Sequence, residues 1–440
     1  MAFQQRNITI VTAGSRGDVQ PYVALALGLQ RAGHRARVAT HENFRTFVTG
    51  RGLDFAPLRG DPQAILRSAA ADAWLASGRN RSMLRFMREM RRVSETLVDE
   101  LLADFWRACQ GADAILFSAV GAASWQVAER LGVPRAAAFL QPLTPTREFP
   151  TVGLPPSLRL GGAFNRATHM VAEQLLWQPV RRQVNRWRQA TLGLQALPFA
   201  GPFRAMARDG VPVLYGFSPS VVPRPADWPA SVQVTGYWFL GPEPAWRPPP
   251  ALERFLAAGP PPVYVGFGSM TPRNAGRLTR IALDALDRAG QRGVILKGWG
   301  GLGEGKLPAS AIAVDDVPHE WLFPRTAAVV HHGGAGTTGA GLRAGVPSVI
   351  CPLGFDQHFW GSRVAGLGAG PAPVSRRALT AERLAAAISG AAGDGAMRER
   401  AARLGEQVRA ERGVDRAVEL FEAHLARHAA PGARRRGHVA

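Results

Sequence analysis

Residues 327–338 read Ala327-Ala328-Val329-Val330-His331-His332-Gly333-Gly334-Ala335-Gly336-Thr337-Thr338, and the run continues to Gly345-Val346-Pro347. An apolar stretch of strand length is turned by glycines into a helix predicted to begin near Gly336. Glycine lets a ligand approach the backbone closely, and a helix N-terminus offers unpaired N–H donors with partial positive charge. Two threonine hydroxyls and an imidazole at the same corner suit a diphosphate. The competing reading is a strand–helix turn whose histidines are only packed. Downstream, a strand predicted over Ser348–Cys351 leads into Pro352-Leu353-Gly354-Phe355-Asp356-Gln357, which brings a carboxylate and an amide to the same edge.

A chain of 440 residues, 46% of them hydrophobic, has the material for two cores and so for two domains. Cys109 and Cys351 lie far apart without metal-ligand spacing, which fits a reduced, cytoplasmic setting. The chain enters a strand almost at once, so no signal peptide is expected, and no uncharged apolar run has the length of a membrane span. The formal net charge is +20, nearly all of it arginine, since Lys297 and Lys306 are the only lysines. No nucleic-acid motif or basic–aromatic repeat accompanies it, so weak association with a membrane surface is the use assigned to this charge.

Working outward, the first half opens with a strand over Asn7–Thr12, a loop over Ala13–Pro21 and a helix over Tyr22–Ala32. That is the first unit of a doubly wound sheet. Its loop is not GxGxxG, which counts against hydride transfer with a dinucleotide. Further strands are predicted at Arg35–Thr40, Leu53–Leu58, Ala114–Ser118, Pro134–Leu140 and Val213–Ser218, with a helix at His41–Gly50. Residues 61–110 read as helical. Arg79–Arg92 carries six arginines against Glu89, with Met83, Leu84, Phe86, Met87 and Met90 between them. This is read as a solvated face over a core stripe, with a membrane-facing helix as the alternative. One long helix is predicted around Phe164–Leu192, and the proline density of Trp228–Pro250 predicts an irregular linker. The second half repeats the pattern, with strands at Pro262–Phe267, Gly293–Lys297 and Ile312–Val314. The predicted division is 1–225, a linker 226–250, 251–411, a helix 412–428 packing across the seam, and a basic tail 429–440.

Val317-Pro318-His319-Glu320-Trp321-Leu322-Phe323, the HHGGAGTT run, the AGVP run and Asp356-Gln357 occur in this order. Together they resemble the donor-nucleotide signature of GT-B glycosyltransferases of family 1, the UDP-glycosyltransferase superfamily. The likeness is strongest to the sterol 3-beta-glucosyltransferase branch and its bacterial relatives, and Gly236-Tyr237-Trp238-Phe239 adds to it. The resemblance implies an α/β GT-B fold, two Rossmann-like domains facing each other across a cleft. It also implies an inverting enzyme that moves a sugar, by default glucose from UDP-glucose, to a lipophilic hydroxyl such as that of a sterol, triterpenoid, macrolide or polyphenol. No cofactor is implied. The chain has no Asp-x-Asp pair, so no metal is expected.

Sugar transfer needs a base for the acceptor hydroxyl and a stabiliser for the leaving diphosphate. Asp18 is the predicted base, with capping of a helix starting at Val19 as its structural alternative. Plant members carry a His at this position and a helper Asp where Ser118 stands here. On the donor side the resemblance assigns His332 to a phosphate and His331 to structure. Gly334, Ala335, Gly336 and Thr337 would supply backbone and hydroxyl contacts, and Val317 would meet the nucleobase through its backbone. Ser15, Arg16 and Ser269 either touch phosphates or shape their loops. Asp356 and Gln357 would hold sugar hydroxyls. The family's base-stacking Trp would fall at Asp316 and the plant ribose-binding Glu at Ala340, which leaves a dTDP-sugar open as donor. The rivals are a sugar-nucleotide epimerase and a non-catalytic auxiliary protein of the same fold.

Overall fold

A computed structural model describes residues 4–60, 97–154, 158, 160–241, 243, 245–268, 275–297, 303 and 307–429. The arginine-rich stretch 79–92, Ser269, the Gly-rich 298–302 and the tail beyond 429 lie outside the described residues.

The first half is a seven-stranded parallel sheet of order β3-β2-β1-β4-β5-β6-β7. Its strands are β1 (Asn7–Val11), β2 (Arg35–His41), β3 (Asp54–Leu58), β4 (Ala114–Phe117), β5 (Arg135–Phe139), β6 (Val213–Tyr215) and β7 (Val232–Val234). Central strands such as β4, Ala114-Ile115-Leu116-Phe117, are buried along their whole length, as parallel strands covered on both faces must be. The described helices of this half are α1 (Arg16–Arg31), α2 (Arg45–Thr49), α3 (97–108), α4 (Ser124–Leu131), α5 (Gly162–Trp177), α6 (Arg181–Ala190) and α7 (Gly201–Arg208).

Three sequence expectations change here. Helix α1 starts at Arg16 behind Ser15 and carries Pro21 within it, so Pro21 does not mark its beginning. The long helix predicted around 164–192 is two helices, parted where Pro179 has no N–H to continue the ladder. The linker yields β7, whose Val232 pairs with Val213 of β6; Pro229 and the other linker prolines fall outside the three paired residues and remove no donor.

The second sheet, order β10-β9-β8-β11-β12, is also parallel throughout. It is built from β8 (Val263–Gly266), β9 (Gly293–Leu296), β10 (Ala311–Val314), β11 (Ala328–His331) and β12 (Ser348–Ile350). Around it lie α8 (Pro250–Ala257), α9 (Ala275–Arg288), α10 (His319–Leu322), α11 (Ala335–Ala344), α12 (Gln357–Gly366), α13 (Ala381–Gly393), α14 (Gly395–Ala410) and α15 (Gly413–Ala429).

Both sheets reverse their strand order beside their first strand, between β1 and β4 and between β8 and β11. Ligands of open parallel sheets bind outside the carboxyl ends of the strands at such a switch point. The loops after β1 and β4, and those after β8 and β11, are the stretches singled out in the sequence. The halves meet here, since α1 touches α11. Helix α15 returns to the first half, placing Ala417, Val418, Phe421 and Leu425 in one core with Val23 and Leu25. Where the chain crosses between halves, the two passes touch: a Cβ at Gly413 would stand 2.4 Å from the Tyr237 carbonyl oxygen.

Candidate active site

Asp18 is the third residue of α1. Its Oδ2 accepts a hydrogen bond from the Ser15 backbone N–H and another from the Ser15 hydroxyl, both at 2.9 Å. Asp18 is thus not the N-cap of a helix starting at Val19 but the N3 residue, its carboxylate reaching back to the N-cap Ser15. Gly14, at φ +132°, makes room for it; a Cβ there would lie 2.6 Å from Asp18 Oδ2. Burial raises the Asp18 pKa above its ordinary 3.8, and the two Ser15 hydrogen bonds oppose that rise. Tyr22, one turn on, donates to the Ala138 carbonyl at 2.7 Å and takes a hydrogen bond from Ser118. Its pKa lies well above 10, first because it is buried and then because Asp18 is near. Ser118 thus stands beside the Asp18–Tyr22 pair, at the head of the loop after β4.

From the other half, Asp356 approaches the same place. Its Oδ2 accepts from Trp360 Nε1 at 2.9 Å, and Gln141, from the loop after β5, bonds its carboxyl from the opposite half. Burial raises its pKa, and the Asp18 charge raises it further. Two carboxyl groups from different halves thus sense each other across the cleft. Phe355, just before Asp356, is exposed and holds φ of 53°, a left-handed conformation that costs a bulky residue of order 1–3 kcal/mol. That turn delivers Asp356 and Gln357 to the start of α12. The Gln357 amide oxygen accepts from the Leu353 and Gly354 N–H groups at 2.7 and 3.2 Å, which ties that loop to the start of α12.

The signature run forms β11, a glycine turn and α11. His331 is fully buried, with Nδ1 accepting from the Gly333 N–H at 3.1 Å. The His332 ring lies between two glycines. A Cβ at Gly268 would meet its Cε1 at 2.8 Å, and one at Gly334 its Nε2 at 2.6 Å. Burial lowers its pKa to about 4, so the ring is neutral at pH 7, and its Nδ1 has no hydrogen-bond partner among the described residues. Helix α11 begins at Ala335, with Gly334 as N-cap and no side chain on its first N–H groups; Gly336 is exposed and Thr337 half-buried in that first turn.

Val317 buries its side chain among Tyr264, Leu322 and Phe323, while no hydrogen bond among the described residues engages its backbone. Beside it Asp316 forms an ion pair with Arg16 at 2.6 Å, joining the two halves at the rim. Arg16 also bonds Gln20 and lies 5.2 Å from the Phe47 ring centre. His319 stacks on Phe323 at 4.3 Å and is held neutral, its pKa lowered to about 4 by burial and then by Arg16. Sequence reasoning passed over Gln141 and Tyr22. Their only signal is position, after β5 and one turn beyond Asp18. Trp177 and Trp187 are buried in the first core.

Residues 8–150 match the glycosyltransferase family 28 N-terminal domain, and residues 297–419 match the C-terminal domain of the erythromycin biosynthesis protein CIII-like family. The sterol 3-beta-glucosyltransferase of Emericella nidulans is 40% identical over 426 residues, which cover 94% of this chain and 30% of that protein. That of Cryptococcus neoformans is 39% identical over 438 residues, covering 94% and 27%. The chain carries these two domains in a GT-B fold. Among solved structures of this fold, the calicheamicin glycosyltransferase CalG4 superposes with a TM-score of 0.68 at 19% identity, over 97% of this chain and all of that one. The glycosyltransferase VinC, in complex with dTDP, gives 0.65 at 21% identity over 96% and 100%. This chain spans under a third of the length of the curated relatives named above, and matches the solved structures end to end.

Proposed function

We propose that the chain transfers a sugar from a nucleoside diphosphate, by default glucose from UDP-glucose, to a hydroxyl of a lipophilic small molecule, with inversion and without a metal. The observation that carries the reading is the meeting of α1, which bears Asp18 in its first turn, with α11, which follows His332, beside the switch points of both sheets. The names of the relatives support a sterol or a comparable polycyclic alcohol as acceptor. The dTDP bound in VinC keeps a thymidine donor in view.

Asp18 takes the proton of the acceptor hydroxyl as its oxygen attacks the anomeric carbon. The bond from that carbon to the β-phosphate oxygen breaks, and the diphosphate leaves with the electron pair. Attack opposite an α-linked leaving group gives a β-glycoside. The first-turn N–H groups of α11, Thr337 and the neutral His332 receive the growing negative charge, acting as preorganised donors. Val317 offers its backbone to the base and Asp356 its carboxyl to a sugar hydroxyl. Arg16 and Asp316 hold the rim. The protein acts peripherally at a membrane where its acceptor resides.

The test is UDP release from UDP-glucose, and dTDP release from dTDP-glucose, with and without a panel of sterols, macrolides and flavonoids. Acceptor-dependent release that Asp18→Ala abolishes is the expected result. Release that survives the mutation removes Asp18 as base, and no release with any pair turns the reading toward an auxiliary protein.

A further inference from the structure

Helix α5 buries Thr168, His169 and Trp177, yet its other residues include large apolar side chains turned to solvent. Val171 is 57% exposed, Leu175 65% and Leu176 64%, and Phe199, from the loop before α7, is 64% exposed. Gln174 and Gln178 bond the carbonyls of Ala200 and Phe199, both at 3.1 Å, which fixes Phe199 beside the carboxyl-terminal end of α5. Single exposed apolar residues are ordinary, but four gathered at one helix end are not.

The flank of this patch is cationic. Arg181, Arg182 and Arg186 of α6 line an open depression of about 480 Å³ with Asn185 and Gln189. Arg181 reaches to 5.2 Å from the Phe199 ring centre, so patch and depression are continuous. Arg188, on the inner side of α6, is buried and paired with Glu129 at 2.7 Å. No ion pair engages the other three among the described residues. Apolar side chains turned to solvent near a helix end, beside guanidinium groups that no described carboxylate pairs, match an anionic bilayer surface: hydrocarbon for the first and lipid phosphates for the second.

We infer that the α5 end, Phe199 and the outer face of α6 form the surface by which this protein docks on anionic membranes. The purpose of the docking rests on the lipophilic acceptor proposed above; the docking itself needs neither donor nor acceptor. The stretch 79–92, the sequence's own candidate for a membrane-facing helix, lies outside the described residues.

The experiment is co-sedimentation of the full chain, without substrates, with phosphatidylcholine vesicles with and without phosphatidylglycerol. Binding is expected only with phosphatidylglycerol and should weaken as salt rises. The triple variant Leu175→Ser, Leu176→Ser, Phe199→Ser should lose at least tenfold in affinity. Arg181→Gln, Arg182→Gln, Arg186→Gln should lose roughly fivefold per arginine. Both variants should keep turnover of a water-soluble acceptor, which shows that they fold and separates this test from that of the reaction. A second readout uses Leu175→Cys carrying an environment-sensitive dye, specific because Cys109 and Cys351 are buried; its emission should shift to the blue on anionic vesicles. Vesicle binding unchanged in both triple variants, or none by the parent chain, overturns the proposal. So does a dye that stays in water, or a dimer that the same variants dissociate.

Discussion

Ser15 and Asp18 form a small device in which one residue sets the acidity of the other. Burial pushes the carboxyl up, and the Ser15 hydroxyl and N–H hold it partly down. A base with a raised pKa is lost as pH falls through that value, so the acid limb of kcat/KM should lie above the ordinary carboxylate range. Ser15→Ala removes one of the two opposing hydrogen bonds, and the limb is expected to move to higher pH while the plateau survives. A limb that stays put in a pH–rate profile would exclude Asp18 as the titrating base. Asp18→Asn should lower kcat by about 10²–10⁴ and leave UDP affinity, read by calorimetry, within a few fold.

In the proposed reaction the unit β11–turn–α11 acts through its backbone. Gly268 and Gly334 press on the His332 ring from two directions, at 2.8 and 2.6 Å from where a Cβ would stand. Gly334 has φ of −62°, which alanine adopts freely, so Gly334→Ala tests the contact without backbone strain. The methyl should drive the imidazole out of place and raise KM for the donor roughly ten- to a hundredfold, at a stability cost of about 1–3 kcal/mol. A donor KM unchanged in steady-state kinetics would make His332 a packing residue. The signature's order along the chain could be read directly because strand, turn and helix are consecutive in sequence. Its tie to Gly268 could not, because that contact spans about sixty residues.

At the scale of the molecule, the halves are joined by features of unequal weight. The Arg16–Asp316 pair is exposed, so Asp316→Ala should change stability by no more than about 1 kcal/mol. Helix α15 is the stronger tie, since Phe421 is 1% exposed within the first half's core. Phe421→Ala should cost about 3–5 kcal/mol and lower the denaturant midpoint of the transition that reports the first half. An unchanged midpoint would mean that α15 is not docked there in solution.

The sequence by itself determined the two α/β halves, the donor signature and Asp18, because these are local: periodicity, glycine spacing and a run of neighbouring residues specify them. It misplaced the start of α1 and read past β7, since a proline is a strong local signal that packing and parallel pairing can override. Only the tertiary structure decided that the Asp18 charge acts on Asp356, that Gln141 reaches Asp356 from beyond β5 and that Tyr22 and Ser118 stand beside Asp18. These contacts join residues hundreds of positions apart in some cases. Their geometry follows from strand order and the docking of two sheets, which no stretch of the chain encodes alone.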